Sequence, residues 1–354
     1  MDICSMSMSE QLSANSLRFS RVARNSIAIR RAPTSLLLRC ASDSLLESNS
    51  RNRMFILGMG FVGQFVAQDL MNSGWVVSGT CRTTTRKKML EERGLNVYLF
   101  DANEPEPGVL DTMKHHTHLL VSIPPVVGLG DPMLQHRQIL RSRLMDGNLQ
   151  WLCYLSSTSV YGNCGGAWVD EYCPVSPESE LAKVRVAAEE GWLDLGHDLG
   201  LSAQIFRLGG IYGPGRSAVD TIIKQMPLSE AQKRRVTRQY TSRIHVADIC
   251  QALKASSISV PSPRNIYNIV DDDPAPREEV FAFAKHLIKE TWPNQIKKST
   301  SPGMTGSIIQ KQSSKREKRV SNSRMKKELG VKLIHPSYKS GLSNIIVHMK
   351  NPFG

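Results

Sequence analysis

The chain has no apolar run near the roughly 18 residues a membrane-spanning helix needs, no Cys-x-x-Cys, no paired histidine spacing and no internal repeat. The first absence predicts a soluble protein with no membrane partner. The missing Cys and His spacings exclude the common zinc frameworks, so no metal is expected. Seven cysteines, at 4, 40, 81, 153, 164, 173 and 250, read as ordinary thiols, with a reversible Cys164–Cys173 disulfide as the alternative. At 354 residues the chain suits one α/β domain with a sizeable appendage, or two small domains. A core of that size buries about three quarters of the unfolded surface and needs no covalent staple.

The N-terminus is short of acid. Residues 1–50 hold twelve Ser, six Arg and no Lys, with no acidic residue from Gln11 through Ser42. That composition suits an organelle transit peptide, and Ser, Arg and Asn interrupt every candidate core of a secretory signal. Leu36-Leu-Leu-Arg39-Cys40-Ala41-Ser42 is similar to plant chloroplast processing sites, so residues 1–45 read as a disordered leader cut near Cys40. The expected destination is the chloroplast stroma. A mitochondrial address and a cytosolic tail are the competing readings.

What is present begins at Met54-Phe-Ile-Leu-Gly58-Met-Gly60-Phe61-Val62-Gly63, a Gly-x-Gly-x-x-Gly between a short apolar strand and an amphipathic helix. Gly58 allows the tight turn, Gly60 leaves room for a pyrophosphate, and Gly63 lets helix and strand pack closely. The N–H groups at the helix start, on Phe61 and Val62, then face the anion. Gly74 stops the helix, and Trp75–Arg82 reads as a second strand. Dinucleotide units that bind NAD place a carboxylate about 20 residues past the glycines for the ribose 2′-hydroxyl. None occurs between Val76 and Met89, and Arg82 is followed by Arg86, Lys87 and Lys88. Cations there suit a 2′-phosphate, so NADP is expected over NAD.

Further strands are expected at Leu95–Asp101, His118–Pro125, Gln150–Leu155, Ser202–Leu208, Arg243–Asp248 (running into a helix) and Asn265–Val270. Helices are expected over Pro132–Met145, Leu181–Leu195, Arg277–Glu290, Ser323–Gly330 and near Leu342. Such alternation predicts an α/β protein with a doubly wound parallel sheet. Ligands bind beyond the strand C-termini in that architecture, where Gly60, Arg82, Asp101, Ser122 and Ser157 fall. Asp101 is expected beside an adenine ring.

Taken together, Gly58–Gly63, Tyr154-Leu-Ser-Ser157-Thr-Ser-Val-Tyr-Gly162, Asp170-Glu171 with Pro174, Phe206–Arg216, Arg243-Ile-His245-Val-Ala-Asp248 and Tyr267-Asn-Ile occur in one order. That series resembles the extended short-chain dehydrogenase/reductases of the NAD-dependent epimerase/dehydratase type, and the compact forms Ile123-Pro-Pro and His335-Pro-Ser-Tyr338 look closest to an atypical subgroup. The resemblance implies a Rossmann core over 52–205 and a small C-terminal α+β substrate-binding lobe over 206–345, interleaved with the core. It places Ser157 at the catalytic hydroxyl and Arg216, Arg243 and His245 on the substrate side. It also leaves room for a homodimer. In the family, Tyr-x-x-x-Lys moves the alcohol proton and holds the nicotinamide ribose. Here one register puts Leu181 and Arg185 in those places, and another puts Ser179 and Lys183 there. Neither supplies a phenol, which leaves Tyr161 and Tyr172 as displaced candidates. Arg185 can bind ribose or a substrate anion but cannot shuttle a proton.

The expected function is an NAD(P)-dependent oxidoreductase or epimerase acting on a small carbonyl or nucleotide-linked sugar through a degenerate site. The alternatives are a non-catalytic NADP-binding regulator or scaffold, and a relative of chloroplast RNA-binding members of the superfamily. The last draws on Lys297–Lys327, where ten Lys or Arg face one acidic residue, Glu317. Such runs more often form a solvated loop than a nucleic-acid surface.

Overall fold

In the computed structural model, which describes residues 52–224, 240–259, 265–293 and 317–352, the expected alternation builds one parallel sheet. The first half of the chain runs β1 (Arg53–Leu57), α1 (Phe61–Asn72), β2 (Val76–Cys81), α2 (Thr84–Glu91), β3 (Asn96–Leu99), α3 (Pro107–Met113), β4 (His118–Val121), α4 (Arg137–Leu144), β5 (Trp151–Ser157), β6 (Trp168–Val169) and α5 (Glu180–Asp198). The second half runs β7 (Ser202–Leu208), β8 (Gly210–Tyr212), α6 (Ala218–Ile223), β9 (Arg243–His245), α7 (Val246–Ser257), β10 (Asn265–Ile269), α8 (Arg277–Thr291), β11 (Arg319–Val320), α9 (Ser323–Leu329) and α10 (Tyr338–His348).

The sheet order is β10-β7-β5-β4-β1-β2-β3. Strand β1 pairs with both β2 and β4, so the winding reverses there and a crevice opens beyond its C-terminal end. Helices cover both faces, which is why β1 reads as an unbroken apolar run rather than an alternating one. Met54 and Ile56 face one cluster with Val62, Val66 and Leu70 of α1. Phe55 and Leu57 face the other with Leu110, Leu140 and Trp192.

Hydroxyl caps set several helix starts. Thr83, Ser179, Ser217 and Ser337 each accept a backbone N–H from the first turn of the helix that follows, satisfying a donor with no partner inside it. Gly330, in the left-handed region, ends α9 as the sequence predicts.

Strands β7 and β10 lie in the central sheet, and α7 and α9 pack on the cluster that β1 and α1 line, although all of them follow residue 200. A separate apolar cluster, hereafter the lobe, packs α6, α8 and α10 around Val219, Val280, Ala284, Ile288 and Leu342. Two short parallel ribbons, β8 with β9 and β6 with β11, tie it to the core.

Three expectations shift. The third strand stops at Leu99, two residues before Asp101, and the fourth ends at Val121, ahead of Pro124 and Pro125. Pro132–Met145 divides into a 3₁₀ turn at Leu134–His136 and then α4. Residues 1–45, expected to be a transit segment, and residues 297–316 of the basic run lie outside the described residues. Within the described part of that run, Lys318 is buried, Arg319 stacks between Trp168 and Tyr240, Arg324 pairs with Glu328, and Lys326 pairs with Asp272. Cys164 and Cys173 are free, half-buried thiols.

Candidate cofactor and substrate site

The glycine turn has the geometry a dinucleotide needs. Gly58 sits at φ 99°, and a Cβ there would also press on Ile123 and the Ser122 carbonyl carbon, at 3.2 and 3.3 Å. A Cβ on Gly63 would stand 2.5 Å from the Gly58 carbonyl oxygen. A Cβ on Gly60 would meet nothing within 4 Å, so the space over the N-terminus of α1 is open to a ligand. The first-turn N–H groups of Phe61 and Val62 point there without intrahelical acceptors.

Residue Thr80 was not singled out from the sequence, yet it holds this turn. Its Oγ1 accepts the Gly58 N–H at 2.9 Å and its carbonyl accepts the Met59 N–H at 2.8 Å. Thr recurs throughout the chain, so no local signal marks this one. Arg82 is exposed just beyond β2, and the Arg86 guanidinium reaches back toward the Met59 carbonyl at 3.5 Å. Asp101, also exposed, accepts the Asn103 N–H and side-chain amide. Ser122 follows β4, its N–H donating to the Leu57 carbonyl.

Beyond β5 the chain turns through a short 3₁₀ helix, Thr158–Tyr161. Ser157 Oγ caps it by accepting the Ser159 N–H at 3.2 Å. Arg185, on α5, donates to Ser159 Oγ at 3.2 Å, and burial draws its pKa down. Ser157 and Arg185 are thus brought to one turn. Leu181, one helical turn before Arg185, is partly exposed and offers no proton. Tyr161 is not a free base either. It is fully buried, its hydroxyl donates to Asn268 at 2.9 Å and accepts from Arg207 at 3.0 Å, and burial above all pushes its pKa up. Tyr172 is 80% exposed, with Arg324 over its ring.

Ser157, Thr158 and Ser159 line a cavity of about 70 Å³ together with Tyr240, Glu317 and Lys318. A larger cavity of about 360 Å³ lies between α6, α8, α10 and the β8–β9 ribbon, with Arg216, Arg243 and Arg277 in its wall. Gly210 and Thr241 belong to both, so the two adjoin. Arg216 also spans the lobes, its guanidinium 5.2 Å above the ring of Phe61 at the start of α1. Arg243 is braced by the Thr241 and Ala275 carbonyls, each at 2.7 Å. Arg277 lies 3.9 Å over the Phe281 ring and was not singled out from the sequence, where it reads as an ordinary first-turn residue of α8.

The sequence expectation for His245 meets a different arrangement. The residue is buried, 3% exposed, and its Nδ1 accepts the Ala247 N–H at the start of α7. Its ring packs on His335 and Tyr212, and it lines neither cavity. It holds the wall rather than forming part of it.

The profile of the NAD dependent epimerase/dehydratase family matches residues 137–269. Protein YeeZ of Escherichia coli (strain K12) is 30% identical over 266 residues, covering 73% of this chain and 90% of that protein. A functionally unknown conserved protein from Silicibacter pomeroyi DSS is 31% identical, with a TM-score of 0.64 over 84% of this chain and 98% of that one. The UDP-glucuronic acid 4-epimerase from Bacillus cereus, solved with UDP-glucuronic acid and NAD, is 17% identical, with a TM-score of 0.63 over 83% and 99%. At that identity the likeness speaks for the fold.

Proposed function

Since this chain belongs to the NAD-dependent epimerase/dehydratase family, we propose that it binds NADP and acts on a nucleotide-linked sugar or a comparable phosphorylated carbonyl compound. The observation that carries the reading is the adjoining pair of cavities. A substrate with its phosphates against Arg216, Arg243 and Arg277 can run past Gly210 and Thr241, which places its other end at Ser157. Arginine forks suit phosphate oxygens, and the glycine-rich loop lets a substrate approach the backbone.

The open space over Gly60 and the N–H groups of Phe61 and Val62 would hold the pyrophosphate. Arg82 would hold the ribose 2′-phosphate, which is the basis for NADP over NAD. When bound, the nicotinamide accepts or returns a hydride. Ser157 donates a hydrogen bond to the reacting oxygen, and Arg185 fixes the ribose or a substrate anion. The missing phenol removes the usual proton carrier, whose contribution is about 10²–10⁴ in rate. Turnover of generic carbonyls is therefore expected to be weak.

The test is to titrate the full-length chain with NADPH and NADH, then to follow cofactor absorbance with UDP-glucose and UDP-glucuronic acid. NADPH should bind more tightly than NADH, and Arg82→Ala should cost about 1.5–3 kcal/mol of that binding. Equal affinity for the two cofactors would sink the NADP assignment. A second reading, an NADP-binding regulator without turnover, is favoured by Leu181 in the place of the phenol and by the locked Tyr161. Tight NADPH binding with no hydride exchange would select it.

A further inference from the structure

The Gly213–Arg216 turn joins the two binding regions. Gly213 and Arg216 exchange both backbone hydrogen bonds, at 3.0 and 3.1 Å, and Gly215, at φ 80°, takes the left-handed place that follows Pro214. A Cβ on Gly213 would stand 2.6 Å from Val246 Cγ1 and 3.3 Å from Phe61 Cζ, so the turn rests directly on the first residue of α1. From that turn Arg216 lines the larger cavity and carries its guanidinium over the Phe61 ring. The residue as a whole is exposed, yet its charge lies deep enough for burial to draw the pKa down, and among the described residues no charged group acts on it. Arg207, Arg319 and Arg324 also lie over rings, and each donates besides to an oxygen, of Glu189, Gly166 and Glu328 respectively. The Arg216 guanidinium has the ring alone, and Asp220, the acidic residue nearest to it in sequence, accepts from Ser217 Oγ at the start of α6. Its N–H donors are therefore left for an anion, beside the helix end whose Phe61 and Val62 N–H groups face the open space over Gly60.

We propose that Arg216 also binds the pyrophosphate of the dinucleotide, from the second half of the chain, while the N–H groups of α1 hold it from the first. The inference rests on the dinucleotide site proposed above and adds a ligand that its glycine motif does not contain. Five N–H donors in a planar fork can serve a cofactor phosphate on one side and a substrate phosphate on the other. Arg216 is thus a shared ligand, and loading of the cofactor fixes one arginine of the substrate's cavity. The Phe61 ring gives the guanidinium a plane to rest on, and Gly213 allows the close approach.

The probe is 2′-phospho-ADP-ribose, which carries the cofactor's pyrophosphate and 2′-phosphate but no nicotinamide, titrated calorimetrically into the full-length chain. Arg216→Met, which keeps an apolar stem over Phe61 and removes the charge, should weaken it about tenfold, and Arg216→Lys should restore most of that affinity. ADP-ribose, without the 2′-phosphate, should lose the same factor in Arg216→Met. Lys224→Met, which removes a cation at the end of α6, should leave both affinities unchanged. The melting temperature of ligand-free Arg216→Met should match that of the unmodified chain. Unchanged affinity in Arg216→Met, an equal loss in Lys224→Met, a loss confined to 2′-phospho-ADP-ribose, or a loss that Arg216→Lys does not restore overturns the proposal. So does a lower melting temperature or a failure to fold, which would make Arg216 a brace of the turn. The same titrations keep the two readings apart. No binding of either probe by the unmodified chain removes the dinucleotide site, and binding untouched by Arg216→Met removes only the role of Arg216.

Discussion

At the residue scale, the polar group that most constrains the site sits behind it. Arg207 of β7 makes three bonds to Glu189 of α5 and one to Tyr161, and Ser156 donates to the same Glu189 carboxylate. Both charges are about 5% exposed or less, so neither finds water if the other is removed. Glu189→Leu should therefore cost about 3–5 kcal/mol in chemical denaturation, while Glu189→Leu with Arg207→Met should recover part of that loss. A single variant costing under about 1 kcal/mol would mean the pair is solvated. The glycines allow a second comparison. Gly63→Ala forces a Cβ against the Gly58 carbonyl and should lower both stability, by about 1–3 kcal/mol, and NADPH affinity. Gly60→Ala meets open space, so it should keep its melting temperature and lose NADPH binding. An equal loss of melting temperature in the two would contradict the division of labour between them.

At the element scale, α7 begins on a buried histidine pair. The His245 and His335 rings lie 4.2 Å apart between centroids, with Tyr212 on one side and Asp248 accepting the Ile334 and His335 N–H groups. Burial lowers the His245 pKa to about 4 from its usual 6.5 and lowers His335 as well. Above pH 6.5 His245 is neutral folded or unfolded. As pH falls from there toward 4 the unfolded chain takes a proton the folded chain refuses, so stability drops by at most about 1.4 kcal/mol per pH unit for this group. Asp248 and Asp271, both raised by burial, work the other way, so the comparison with a His245 variant isolates the histidine's share of the slope. Denaturation between pH 8 and 5 should show the slope, and His245→Asn, which keeps a capping side chain, should flatten it. An unchanged slope would show that the ring protonates in place. Elements with strong local signals were legible beforehand: α5 repeats its apolar spacing over several turns, and β7 is a short, wholly buried run between Gly200 and Gly209, so both fall at or within a few residues of their expected bounds. The β6–β11 ribbon was not. Its strands are two residues each, some 150 residues apart in the chain, and nothing local in Lys318-Arg319-Val320 distinguishes a strand from a solvated basic run.

At the scale of the whole molecule, the division into a core ending at 205 and a lobe beginning at 206, which the family resemblance implies, is not a mechanical boundary. It cuts β7, which pairs with β5 from Ser202 through Leu208 and carries β10 on its other edge. One apolar cluster joins Met54, Val62 and Leu70 from the first half to Phe206, Ile244, Ile249 and Tyr267 from the second. A fragment ending at 205 would leave Leu155–Ser157 of β5 unpaired, the stump of β7 without β10 on its outer edge, and Phe206 missing from that cluster, so it should aggregate rather than fold. For the same reason the full chain should melt in one transition. NADPH at about one hundred times its dissociation constant adds about 2.7 kcal/mol to the folded state, which should raise that transition by about 5–10 °C. The informative probes are Trp75 and Trp151, near the dinucleotide half, and Trp292, which packs in the lobe. If the interleaved strands couple the halves, fluorescence from variants retaining only Trp151 or only Trp292 should report the same midpoint and the same NADPH shift. A shift confined to Trp151 would show that the lobe unfolds independently of the cofactor site. The substrate path from the arginine cavity to Ser157 would then cross a moving joint, and the paired cavities would lose their force as the ground for a single substrate spanning both.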